Sequence, residues 1–276
     1  RDGDKEFKIK VAELVQTKIN PALQEYINFL ENDYLPKART AIGVSALPSG
    51  AECYQARIKQ ETTLSITPKE IHELGLQYMQ KLNKEVGAIG EKKYGTKDMA
   101  EVFKLAKNQS TGVFKTEQEL LNYNMEALNR IKTKAPQWFD MMPKSPGILK
   151  PYPLHRAQTG ASGEYNPPSE DGREPGIFYI NTYQPEKRSR IDMEATLYHE
   201  LIPGHHFQIA LQAEDKSIPR LNQYLWNSGY GEGWALYVER LADEMGAYDD
   251  DISRLGMLSN ESLRASRLVV DTGIHV

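Results

Sequence analysis

Pro203 constrains this chain more than any other residue. It stands inside HELIPGHH, residues 199–206, which holds three of the six histidines in a sequence of 276 residues. In a regular α-helix, residues advance about 100° each, so two histidines four apart share one face and suit a shared metal ion. Here the fourth position after His199 is proline. In an unbroken helix His205 would point about 120° away from His199, and His206 would lie two turns along. Pro203 has no N–H to give the carbonyl of His199, and its ring collides there. Gly204 accepts backbone angles that other residues resist. The pair predicts an interruption that re-phases the residues after it, turning an i, i+4 pair into an i, i+6 pair. That selects His205 as the partner of His199 and leaves His206 to line the cleft or to support it from behind.

Three histidines and a glutamate in eight residues are hard to bury without partners, and a metal ion would supply one. The competing reading is a helix end with a chance cluster. SRIDMEATLYHE, residues 189–200, has a polar start, acids in its first turn and an apolar stripe, so a helix is expected to lead into the motif. Glu200 directly follows His199, where its carboxylate would flank an activated water as general base. A catalytic zinc takes three protein ligands and keeps a fourth position open. The third ligand is sought in GYGEGWALYVERLADEMG, residues 229–246. Glu232 sits among glycines and beside Trp234, and ranks ahead of Glu239 and Asp243, which recur on an acidic helix face. Glu239, two turns along, could instead hold a ligand histidine in place.

The first half reads as helical. VAELVQTKINPALQEYINFLENDYLPKA, residues 11–38, carries apolar residues at helical spacing, with an interruption expected at Pro21. Two helices open on capping boxes, Thr67 with Glu70 and Thr116 with Glu119, and are expected to pack as a bundle. Between Met142 and Gly176 the chain turns rich in Pro, Gly and Ser and reads as turns and loops. GIFYINTY, residues 176–183, is a strand, and ILKPYPL offers it a partner. The helical pattern of ESLRASRLVVDTGIHV runs to the last residue without a polar tail, so the natural domain is expected to continue. The fold class is mainly α within α+β: a helical part at 1–140, then a strand and metal-site helices at 141–276.

Composition excludes several functions. With 34 basic against 38 acidic residues and no basic cluster, a nucleic-acid partner is not expected. No window approaches the roughly 18 apolar residues of a membrane span. RDGDKEFKIK is not a signal peptide. The single cysteine, Cys53, allows no internal disulfide and reads as a plain thiol.

HELIPGHHFQ, paired with EGWALYVERLADEMG and followed by RLVVDTGIH, resembles the bacterial domain of unknown function 885 family (DUF885), as does LPSGAECYQARIKQETTLSITPKEIHELGL upstream. The likeness covers nearly the whole chain. It implies a zincin-like metallopeptidase: one domain over 1–276 short of its C-terminal part, one zinc ion on His199, His205 and Glu232, and Glu200 as the base. It also implies export, to the periplasm or on a lipid anchor. The expected substrate is a peptide or a small amide. Candidates to stabilise the oxyanion are Tyr230, Arg267 and His275, against structural readings such as an ion pair of Arg267 with Asp271. The edge of the strand at 177–183 could add an extended peptide. Two alternatives stand beside this: a metal-dependent amidase or esterase on a non-peptide substrate, and a non-catalytic metal-binding or scaffold protein. Glu200 argues against the second, because a purely structural site has no need of it.

Overall fold

The computed structural model describes residues 5–169 and 173–276. Residues 170–172 of the expected loop and the first four residues of the charged N-terminus lie outside it. Pro21 does not interrupt its helix. α1 (Lys5–Leu14) and α2 (Asn20–Phe29) join through a π-turn at Val15–Ile19, and Pro21 falls in the first turn of α2. The wider turn lies where the proline ring would otherwise meet a carbonyl. α3 (Gly50–Thr62) comes next, and on it Cys53 is exposed.

α4 (Pro68–Tyr94) starts on the expected capping box. Glu70 N–H donates to Thr67 Oγ1 and Thr67 N–H to the Glu70 carboxylate. α5 (Met99–Ser110) is capped by Asp98. α6 (Glu117–Lys134) is capped by Thr116, but Glu119 reaches back to the N–H of Lys115 rather than of Thr116.

The sheet has three strands in the order β1-β3-β2. β1 (Gly147–Pro151) comes from the predicted partner stretch and runs parallel to β3, with Gly147 opposite Gly176. After the short helix α7 (Leu154–Ala157), β2 (Gly163–Asn166) arises inside a stretch read as turns and pairs antiparallel with β3. β3 (Gly176–Ile180) is shorter than the predicted 176–183. At Asn181 the backbone N–H still donates to the Ser162 carbonyl, but the side chain turns the chain aside: its amide nitrogen donates to the carbonyls of Ala157 and Ala161, and its oxygen accepts from Tyr183 N–H. β3 is also the central strand. Both of its edges are paired, so it has none to offer a peptide, and the outer edges belong to β1 and β2.

Four helices complete the chain: α8 (Met193–Glu200), α9 (His205–Glu214), α10 (Ser228–Glu244) and α11 (Asp251–His275). Two apolar clusters meet on α8. Leu197 and Tyr198 join Leu128 and Ile131 of α6, Phe178 of β3 and Val238 of α10. Ala195 joins Leu82 and Val86 of α4 and Leu255 and Leu258 of α11. The two capped helices therefore pack on α11 and α8 rather than on each other, and residue 140 marks where strands begin, not a boundary of packing. The rotation of α8 is fixed by polar anchors. Glu194, fully buried, pairs with Arg130 at 2.8 Å and accepts from Tyr123 Oη at 2.8 Å. Tyr198 Oη donates to the carbonyl of Ala247. A carboxylate this buried is tolerable only with such partners, and they hold His199 and Glu200 toward α10. Among the described residues, no helix is long and apolar enough to cross a membrane.

Candidate metal centre

The break at Pro203 is complete. α8 ends at Glu200, α9 starts at His205, and residues 201–204 turn between them with a cis peptide at Ile202–Pro203. The chain folds back so closely that any Cβ at Gly204 would run into the carbonyl of His199. Trp234 of α10 pins the turn by donating from Nε1 to the Pro203 carbonyl at 2.9 Å.

This geometry brings the i, i+6 pair together. The rings of His199 and His205 lie 4.8 Å apart, edge to face. Glu232, on the first turns of α10, faces both: its oxygens are 3.7 Å from His199 Nε2 and 3.6 Å from His205 Nε2. At those lengths the contacts are electrostatic rather than hydrogen bonds. One donor atom from each of the three lies within 4.8 Å of the others. Two imidazoles and a carboxylate form a borderline-soft set that suits zinc.

The tautomer of His199 is also prepared. Its Nδ1 donates to Glu239 Oε1 at 2.8 Å, and Asn260 of α11 donates to the other oxygen at 3.0 Å. Nε2 is thereby turned to the centre. The Nδ1 of His205 is buried without a partner. Replacing Glu239 with Gln puts an amide N–H2 against a donor. The expected result is a loss of about 10–100-fold in metal affinity, read by competition with a chelating dye. Affinity within a factor of about two of wild type would remove Glu239 from the support of the site.

Charge is concentrated here. Burial alone would lower His199, but the carboxylates of Glu232 and Glu239 outweigh it and raise it to about 9. Burial and the neighbouring charge of His199 push His205 down to about 4. The contact with His199 pulls Glu232 to about 2 against the opposing effect of burial. Glu200 is partly buried; burial raises its carboxyl above the usual range, and the charges of Glu232 and Glu239 add to this. A base poised nearer neutrality is suited to proton transfer.

The remaining sequence candidates fall elsewhere. His206 does not line the cleft: it is fully buried, its Nε2 donates to the Ser145 carbonyl, and its Nδ1 accepts from Tyr165 Oη of β2. Tyr230 is 65% exposed and lines a cavity whose walls include none of the three ligands. His275 closes the end of α11, where its Nδ1 accepts from Val44 N–H and its ring lies on Tyr54. Arg267 is exposed, and Asp271, its expected partner, instead accepts from Tyr54 Oη. The arginine at the centre is Arg264, 3.1 Å from Glu232 Oε2. Asn260 and Arg264 are one turn apart on α11, but that helix carries many other polar residues, so its sequence does not single the pair out. On the other side, Tyr165 is raised by burial first and then by the charge of Glu200, and β2 packs against α8, the helix that Glu200 ends.

A family model described as "Bacterial protein of unknown function (DUF885)" matches residues 2–276. No curated protein matches the chain. Among solved structures, a crystal structure described as that of a "putative lipoprotein" from Colwellia psychrerythraea superposes with a TM-score of 0.82 at 31% identity. The match covers 95% of this chain and 46% of that one, so this chain spans about half the length of the Colwellia protein.

Proposed function

The chain belongs to the bacterial DUF885 family, and from that premise we propose that it is a zinc-dependent hydrolase, a metallopeptidase acting on peptide bonds. The observation that carries the reading is the convergence of His199, His205 and Glu232 on one point, with Glu200 beside them. These three residues would hold the metal. The chemistry a zinc ion supplies when bound is Lewis acidity, enough to bring a water's pKa near ~7 and to polarise a carbonyl.

The chain's own groups do the rest. Glu200 accepts the proton of the attacking water and delivers it to the leaving amine. Glu239, fixed by Asn260, keeps the Nε2 of His199 turned inward. Arg264, which donates to Glu232, is the candidate to meet negative charge developing on the carbonyl oxygen. It takes that role from Tyr230, Arg267 and His275. Export or lipid anchoring belongs to the same reading, supported by the description of the Colwellia protein.

The reading is tested by metal removal. Protein stripped with a chelator should cut no member of a peptide library, and about one equivalent of zinc should restore cutting. Activity that survives stripping would refute zinc dependence. Full metal loading without cleavage of any peptide, amide or ester would move the non-catalytic binding protein ahead.

A further inference from the structure

A cavity of about 1140 Å³ is walled by chain neighbours of the metal centre, Phe207 and Gln208 after His205 and Tyr230 and Trp234 on either side of Glu232. Its floor is the face of α9 that continues past His205: Gln208 lies one turn beyond that ligand, with Phe207 and Leu211 next to it. Trp234 closes the base, stacked on Phe207. Trp226 stands between the cavity and the centre, its ring 6.1 Å from that of His205 and pressed on Gly231, next to Glu232. The ring of Trp226 is thus the partition between the space and the site.

The chemistry of the lining selects an occupant. Indole, phenyl and aliphatic groups dominate the walls, as in sites that bury most of a ligand's surface. The two carboxylates at the rim are occupied: Glu214 accepts from the N–H groups of Lys144 and Ser145, and Asp215 from Ser217. Lys144 also lines the space but is exposed, and the apolar walls favour an uncharged group. One polar requirement is left open. Gln208 is 8% exposed, its Nε2 donates to the Tyr230 carbonyl, and its Oε1 is buried without a partner. An orphaned buried acceptor calls for a donor. An amide N–H flanking a large apolar side chain provides one.

We propose that this cavity is a substrate subsite that receives a bulky uncharged side chain, aromatic or branched aliphatic, on one side of the bond to be cut, with Gln208 Oε1 accepting from a neighbouring backbone N–H. The proposal rests on the peptidase reading for the identity of its substrate, but binding in the cavity can be measured without it.

The probes are N-acetylphenylalaninamide and N-acetylglycinamide, titrated into metal-free protein and followed by the indole NMR signals of Trp138, Trp226 and Trp234. The phenylalanine amide should move the signals of Trp226 and Trp234 and spare Trp138. It should bind about tenfold or more tightly than the glycine amide, as expected from burying one aromatic side chain. Leu225→Arg places a charge on the apolar wall at a residue 64% exposed, where the fold tolerates it, and should abolish the difference. Equal binding of the two amides, or shifts confined to Trp138, would overturn the subsite. The zinc-loaded protein separates the two readings. Selective binding of the phenylalanine amide with no peptide cleaved keeps the subsite and removes the peptidase. Cleavage of phenylalanine- and glycine-containing peptides with kcat/KM within about twofold keeps the peptidase and removes the subsite.

Discussion

Glu200→Gln is expected to lower the hydrolytic rate by about 100-fold or more while metal content stays at the wild-type level. The prediction is sharp because the substitution is nearly isosteric. Glu200 ends α8 directly after His199, but it is not among the three groups that converge on the centre. Glutamine keeps the shape and a hydrogen-bonding oxygen and loses the ability to take a proton. The ligands, the Glu239–Asn260 support and the Trp234 anchor on the turn remain as they are. A paired measurement of zinc stoichiometry and kcat on one peptide substrate decides the matter. A variant as fast as wild type would show that the proton goes elsewhere, whereas one that lost its metal would make Glu200 a ligand.

His205→Ala and His206→Ala, adjacent in sequence, are expected to fail in opposite ways. His205 makes no hydrogen bond through Nδ1, and burial together with the charge of His199 already disfavours its protonated form. Its removal should leave the fold standing and cost more metal affinity than the roughly 10–100-fold typical of losing a mere supporting group. His206→Ala should keep the metal. It deletes a fully buried ring bonded to Tyr165 and Ser145, leaving a cavity and two polar groups unsatisfied. The expected stability loss is about 2–4 kcal/mol, read from denaturant midpoints of the metal-free protein. If His205→Ala still binds zinc and His206→Ala does not, the ligand assignment is reversed.

The contrast between these two histidines shows what could be read without coordinates. Glu232 is singled out by its glycine-flanked setting and by the family resemblance, whereas the break at Pro203 and Gly204 and the i, i+6 partnership rest on local stereochemistry, which a sequence displays directly. The same holds for the capping box at Thr67. The role of His206 does not, because it is set by how two strands approach a helix. β2 was hidden because GEYN is short and lies in a stretch dense with turn residues, so no alternation marks it. That Arg264 rather than Arg267 reaches Glu232 is not legible in the sequence, because the face of α11 that meets α10 is decided by packing along the whole helix. The surroundings of His275 are out of reach for a related reason: the end of α11 is occupied by the N–H of Val44 and the ring of Tyr54, distant in sequence.

Gly147 and Gly176, paired across β1 and β3, lie flat on the ring of His206, and a Cβ at either would strike it. Two strands and α9 are thereby keyed into one block. β2 is tied to that block through Tyr165, and with it comes the side of the cleft next to Glu200. The opposite side is built differently. It runs through a short turn of helix at Arg220–Gln223 to Leu225 and Trp226, and Leu221, Tyr224, Leu225 and Trp226 are all more than half exposed. Backbone with so few buried contacts opens at low free-energy cost. The cleft thus has one stiff jaw and one compliant jaw. For the hydrolysis proposed above, the stiff jaw would set where the reacting bond lies, and the compliant jaw would absorb differences in the size of what is held.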